Sequence, residues 1–377
     1  MIYLDNAATT WPKPASVTAA VQDALRRFGA NPGRAGHAMS LRTAEEVFKT
    51  RETAAAFFGA PGPECVAFPL NCTQALNFVI KGAVTRGGHV VTSCLEHNAV
   101  MRPLETMRRR GLLTYTEARV VPGDNDATLD AFRQALRPDT CLCVCTHASN
   151  VWGIRLPVER IAALCHSYDV PICVDCAQTA GVLPVSMEDG GFDYLCAAGH
   201  KGLYGPMGTG ILLAKDGNLL DTVIEGGTGT ASDSLEQPPA MPERFESGTV
   251  NVSGILGLRA GIQFVQKRGV GAIYRHESAL AGLLYDRLAV SRRVELYAPR
   301  PEVPVVSFNL PGRDSEAVAA ALNSRGFAVR AGLHCAPRAH DFYGTLARGA
   351  VRACPSVFTT RAQIEAFGSA VLQLARR

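Results

Sequence analysis

A lysine, Lys201, follows the apolar, strand-like run 193–196 and enters a turn with four glycines and one proline in the nine residues after it. The turn packs backbone closely, so the amine is held among main chain rather than in water. A desolvated amine, or one beside other cations, has a lowered pKa and can add to a carbonyl to form a Schiff base. His200 and the glycine backbone stand next to it as phosphate contacts. Residue type alone makes a lysine a solvated surface charge, so the turn needs support from elsewhere in the chain.

That support lies at the ends of successive apolar segments. The chain alternates strand-like and helical runs from residue 65 onward, with strands over 65–68, 89–92, 113–120, 141–146 and 172–174 and a helix over 158–168. This is the pattern of a doubly wound parallel sheet, which gathers ligands at the carboxyl ends of its strands. Five successive ends carry polar groups: Thr73; His97; Asn150; Asp175 with Gln178; and His200 with Lys201. Each alone reads as a cap or a turn residue. On one rim they supply a flat ring cover, an acid, hydrogen-bonding groups and an amine, which together make a cofactor site. Asn71, Cys72 and Thr73 open a helix whose free N–H groups suit a phosphate.

Elsewhere, the loop Asn31 to His37 is dense in turn formers and displays Arg34 and His37, which makes it a possible binding element. An amphipathic helix with Ala44, Val47, Phe48, Arg51, Ala55 and Phe58 on one face ends at Gly59. After Asn251 the alternation gives way to helices and a smaller α+β unit. It has strands over 303–309 and 327–330, a helix over 314–325 and a Thr360-Arg361-Ala362-Gln363 capping box at the last helix. The domain change is expected near residue 256. This gives a large domain over 15–256 and a small one built from 1–14 and 257–377.

The composition narrows the function. The 377 residues, 47% hydrophobic and 19% charged, suit a compact protein with room for two domains. A net charge of +4, dispersed along the chain, does not point to nucleic acid; the run Arg108-Arg109-Arg110 reads as a solvated helix end. No apolar stretch spans a membrane, and Met1 to Asp5 does not resemble a signal peptide, so a cytoplasmic location is expected. The twelve cysteines are then expected as free thiols. Cys141, Cys143 and Cys145 lie on a strand apolar on both faces. Cys173 and Cys176 form a CxxC with Asp175 inside it, in a strand rather than at a helix start, so no metal site is expected.

The motifs together resemble a known family. LDNAATT at 4–10, EH at 96–97, SN at 149–150, VDCAQ at 174–178 and GHKGLYGPMGTG at 199–210 are similar to the class V aminotransferase branch of pyridoxal-phosphate (PLP) enzymes. RAGLHCAP at 330–337 resembles the cysteine loop of cysteine desulfurases, in their short-loop group. The resemblance implies an α/β fold, the PLP-dependent fold type I. Its large domain would have a mostly parallel seven-stranded sheet, and its smaller C-terminal domain would carry the catalytic cysteine.

By the same resemblance Lys201 is the Schiff-base lysine, Asp175 the partner of the cofactor's ring nitrogen, and His97 the ring-stacking residue and proton shuttle. Gln178 and Asn150 bond the phenolic oxygen or its neighbours, and Cys72, Thr73 and His200 hold the phosphate. Thr249 reaches the phosphate of a neighbouring subunit, which implies a homodimer with shared sites. Arg352 forks onto the substrate carboxylate, with Arg330, His37 and Asn150 assigned to the same pocket. Cys335 becomes the catalytic thiol. Arg330, His334 and Arg338 would favour its thiolate if close in space.

The implied activity converts L-cysteine to L-alanine. L-Cysteine's amine displaces Lys201, the freed lysine moves the α-proton, and Cys335 takes the sulfur as a persulfide for delivery to an acceptor. Two departures from the family pattern are Ala198, where relatives often have serine, and Leu333, where some have histidine. Selenocysteine lyase or another reaction on the same cofactor is the near alternative. A sulfur-carrying scaffold without turnover and a cysteine-rich metal binder are the others.

Overall fold

The computed structural model describes residues 1–33, 36–84 and 87–376, so Arg34 lies outside the described residues. The chain begins with β1 (Ile2–Tyr3), α1 (Ala15–Arg27) and α2 (Ala38–Phe58). Gly59 ends α2 with φ 58°, a left-handed conformation that costs glycine little. Then come β2 (Val66–Ala67), α3 (Cys72–Ala83), β3 (His89–Ser93), α4 (Asn98–Arg109), β4 (Thr114–Ala118), α5 (Asn125–Ala135) and β5 (Thr140–Thr146). The large unit continues through α6 (Val158–His166), β6 (Ile172–Asp175), the short α7 (Met187–Gly190), β7 (Tyr194–Ala198), β8 (Gly210–Ala214) and α8 (Val252–Arg268).

The strands β2 to β8 form a seven-stranded sheet in the order β2-β8-β7-β6-β5-β3-β4, parallel except for β8, which is antiparallel to both neighbours. Helices cover both faces. One face packs under α3 and α4 through Leu76, Val79, Val100 and Leu104; the other packs under α1, α2, α5, α6 and α8 through Phe28, Phe58, Phe132, Ile161 and Leu258. Interior strands buried on both sides must be apolar throughout, which is why TCLCVCT and YLCAA do not alternate. Cys173 joins one core and Cys176 the other, so the CxxC pair faces opposite sides of the sheet. Among the described residues no group of three or more potential ligands could hold a metal ion.

The sheet order places the site. Strands β7, β6, β5 and β3 are neighbours, so the residues following each lie side by side on one rim. The order reverses between β3, which is followed outward by β4, and β5, from which the chain winds the other way. Such a switch point opens a crevice at the strands' carboxyl ends, and here that end carries His97 after β3 and Asn150 after β5.

The second unit holds α9 (Val270–Ala289), β9 (Glu295–Leu296), β10 (Val306–Asn309), α10 (Ser315–Asn323), β11 (Phe327–Ala328), α11 (Pro337–Phe342), β12 (Val351–Ala353) and α12 (Arg361–Arg376). Strands β12, β10 and β9 form an antiparallel sheet, and β1 pairs in parallel with β11. Leu4 sits in the core of this unit with Leu284, Phe308, Phe367 and Val371, so the N-terminus packs with the C-terminal residues. The boundary expected at residue 256 falls inside α8. That helix lays Ile255, Leu256, Leu258 and Ile262 into the large core, and packing changes hands only near Gly269, between α8 and α9. The strand expected over 303–309 begins at Val306, after Pro304, which has no N–H to give a ladder. The capping box of α12 is formed: Thr360 N–H donates to Gln363 Oε1 at 2.9 Å and Gln363 N–H to Thr360 Oγ1 at 3.3 Å. Among the described residues no helix is long and apolar enough to cross a membrane.

Candidate active site

The turn between β7 and β8 holds Lys201 by its backbone. Thr10 Oγ1 donates to the Lys201 carbonyl at 2.9 Å, and Lys13 Nζ donates to the His200 carbonyl at 2.7 Å. A Cβ on Gly210 would lie 2.6 Å from the Asn71 carbonyl carbon, so only glycine lets the turn approach the start of α3. Burial lowers the Lys201 pKa from the usual lysine value. Arg352 and Arg330 push it the same way, while Asp175 and Cys72 oppose.

Asp175, at the end of β6, is buried. Its Oδ1 accepts the Ala177 N–H at 2.8 Å and the Cys72 thiol at 3.4 Å. Burial raises its pKa, against the pull of these bonds and of Lys201. Burial holds the Cys72 thiol far above its ordinary pKa, so it remains a donor to the carboxylate. This side-chain role was not legible in the sequence, which offered only the Cys72 backbone.

His97 caps α4: its Nδ1 accepts the Ala99 N–H at 3.0 Å. Burial, then Lys201, Arg330 and Arg352, bring its pKa down to about 4. A neutral ring with an accepting Nδ1 carries its proton on Nε2. His200 is likewise pushed down to about 4, chiefly by burial, and its Nδ1 is buried without a partner.

These residues enclose a cavity of about 180 Å³ lined by Cys72, Thr73, His97, Asn150, Asp175, Gln178, His200 and Lys201. The fit to PLP rests on its polar groups. A helix N-terminus and an orphaned imidazole nitrogen lie at the Thr73 and His200 side, suited to a phosphate, and a buried carboxylate sits at Asp175 for a protonated ring nitrogen. Gln178 Nε2 donates to the Ala7 carbonyl at 3.1 Å and Asn150 Nδ2 to the His334 carbonyl at 2.8 Å, so both amide nitrogens already have partners.

Arg352 is buried beside this cavity. Its Nη1 donates to the Asn150 carbonyl and its Nη2 to Asp5 Oδ1, both at 3.0 Å, while Nε has no partner. Arg330 pairs with Arg352 backbone to backbone, and its side chain is exposed with no acid partner among the described residues. Two expected site residues lie elsewhere within the protomer. His37 is exposed, caps α2 by accepting the Ser40 N–H at 3.2 Å and does not line its own protomer's cavity. Thr249 is exposed and lines a separate cavity of about 1170 Å³.

Cys335 alone among the twelve cysteines is exposed. It and His334 have φ of 57° and 49°, a strained pair for residues with a Cβ. The loop is pinned to the cavity's rim. The Asn98 N–H donates to the Cys335 carbonyl at 2.7 Å, and Asn150 holds the His334 carbonyl. The expected cationic neighbours are partly committed: His334 Nε2 lies 2.9 Å from the Ala350 carbonyl, and Arg338 binds Glu117 and Asp341.

Behind Lys201 lies a second cavity of about 30 Å³, bordered also by Thr10, Gln178, Tyr204 and Glu277. Buried Glu277 accepts the Tyr204 hydroxyl at 3.1 Å, and burial pushes its pKa up to about 8. With the folded value above the unfolded one, stability from this group is full below about pH 4.5. It declines by up to about 1.4 kcal/mol per pH unit until about pH 8. Glu277→Gln should therefore gain stability relative to the parent between pH 5 and 8 in urea unfolding; parallel pH dependences would contradict this.

A family model for class V aminotransferases matches residues 2–367, and the chain belongs to that family. Several relatives within it are named cysteine desulfurases. A probable cysteine desulfurase of Methanothermobacter thermautotrophicus is 32% identical over 391 residues, covering 99% of this chain and 94% of the relative. One from Mycolicibacterium paratuberculosis is 34% identical over all of this chain, which spans only 55% of that relative's length. The apo structure of a cysteine desulfurase from Thermococcus onnurineus NA1 has 30% identity and a TM-score of 0.92, covering 100% of this chain and 94% of the other. The fold expected from the motifs is therefore the observed one.

Proposed function

We propose that this protein is a PLP-dependent cysteine desulfurase that converts L-cysteine to L-alanine and takes the sulfur onto Cys335. The observation that carries this reading is the docking of the Cys335 loop: its backbone is bonded to Asn98 and Asn150, the residues flanking the mouth of the Lys201 cavity.

The cofactor, when bound, supplies an electron sink that weakens bonds at the substrate's α-carbon. The first turn of α3, Thr73 and His200 would hold its phosphate, Asp175 its ring nitrogen and His97 its ring face, with Gln178 and Asn150 near the phenolic oxygen. Thr249, exposed and outside the lining of its own cavity, accepts a 3.4 Å bond from Asn31 Nδ2 and would reach a neighbour's phosphate in a homodimer. Arg352 would bind the substrate carboxylate, since its bonds to Asn150 and Asp5 use only two of the guanidinium's five N–H groups. Lys201, its pKa lowered by burial, would move the α-proton. His97 would pass a proton through Nε2.

The Cys335 thiolate then attacks the substrate sulfur. An S–S bond forms as the Cβ–S bond breaks, and its electron pair stays on carbon, which takes a proton to become the methyl of alanine. Incubation with L-cysteine, PLP and dithiothreitol should release alanine and sulfide in equal amounts; sulfide without alanine would overturn the reading. Arg352→Lys loses the planar fork. It should raise KM for L-cysteine about 10- to 100-fold, the scale of a charge-assisted bond, with a smaller effect on kcat. An unchanged KM would assign the carboxylate elsewhere.

A further inference from the structure

We propose that the groove along the outer face of α4, beside Cys335, docks an acidic segment of the protein that accepts the sulfur. This rests on the persulfide reading above and names the partner's chemistry. The groove, about 650 Å³, runs from Asn98 along Arg102 to Arg109 and Arg110, with Pro337 and Arg338 on its other wall. Asn98 is the residue that holds the Cys335 carbonyl, and Pro337 follows Cys335 by two positions. A segment lying in the groove therefore ends at the one exposed thiol.

Its charge is uncompensated. Arg102, Arg109 and Arg110 are exposed and have no ion pair among the described residues. The acid in the groove, Glu105, is occupied by Arg108 through two bonds of 2.8 Å and by the Tyr115 hydroxyl at 3.2 Å. Arginines near a helix C-terminus complement its dipole, which accounts for some of this cluster, but not for Arg102 one turn into α4. Unpaired cations in a concave site focus their field and speed encounter with an anionic partner. Met101 and Tyr115 give the groove an apolar floor suited to side chains. A nucleic acid would call for a longer basic track. The transfer balances without an oxidant: the acceptor thiolate attacks the outer sulfur, the new S–S bond forms on the acceptor, and Cys335 leaves as thiolate.

The test uses the PLP-loaded enzyme and two synthetic single-cysteine peptides, one flanked by Asp and Glu and one by Lys and Arg. With L-cysteine present, the acidic peptide should become persulfidated at least tenfold faster at low salt. That advantage should vanish in the double variant Arg109→Glu/Arg110→Glu, which keeps its dithiothreitol-supported alanine release. Fluorescence anisotropy of the serine version of the acidic peptide reads binding without any persulfide and should weaken at least tenfold in the double variant. Equal rates for the two peptides, binding unaffected by the reversals, or tighter binding of a single-stranded oligonucleotide would overturn the proposal. Tight, variant-sensitive peptide binding with Cys335 left unmodified by L-cysteine would support the groove and defeat the persulfide reading instead.

Discussion

Replacing Lys201 with alanine should lower alanine release from L-cysteine by about 10⁴-fold or more, because one side chain is asked to do two things. General acid–base catalysis is worth about 10² to 10⁴ alone, and loss of the covalent tether to the cofactor adds to it. Borohydride reduction of the PLP-loaded parent should fix the cofactor's mass on the peptide containing Lys201, and the variant should show none. The variant should still fold. The turn is held by Thr10 and Lys13 on the backbone and by glycine packing against α3, none of which involves the amine. It also removes the cation that lowers the Asp175 pKa, so that buried carboxyl should rise further. A variant retaining a tenth of the parent's rate would remove Lys201 from the chemistry.

The parts of this site that were legible in the sequence are those set by local pattern. A buried parallel strand must be apolar, and the polar residue that ends it must face the rim, so Asp175, Asn150 and His97 could be placed from their strands alone. The parts that were not legible join residues far apart in the chain. The Cys72 thiol reaches Asp175 across the sheet, Arg352 finds Asp5 through the β1 and β12 neighbourhood, and Tyr204 finds Glu277 on α9. None of these pairs has a spacing to detect. Where sequence and fold part within the protomer, the residue has bonds elsewhere: His37 caps α2, and Arg338 is bonded to Glu117 and Asp341. The periodic apolar residues of α8 read as a new domain because a helix's stripe does not say which core it faces.

Replacing Cys335 with alanine should abolish the persulfide and cut alanine release from L-cysteine by about 10³-fold or more, the scale on which losing a nucleophile acts. PLP loading should be intact, because no cofactor-cavity residue depends on the thiol. Alanine keeps the Cβ, so the strained φ of 57° is no worse than in the parent and thermal stability should hardly change. No other cysteine can stand in. The remaining eleven are buried or half-buried, and burial holds thiols such as Cys72, Cys176 and Cys354 well above their ordinary range. The substrate decides between the two nearest reactions on this cofactor. Selenium can leave as Se(0) without an enzyme thiol and be reduced to selenide by added dithiothreitol, so alanine release from L-selenocysteine should survive in Cys335→Ala while desulfuration fails. If alanine release from L-cysteine is undiminished, sulfur does not pass through Cys335, and the strained, pinned loop must be explained by something other than persulfide transfer.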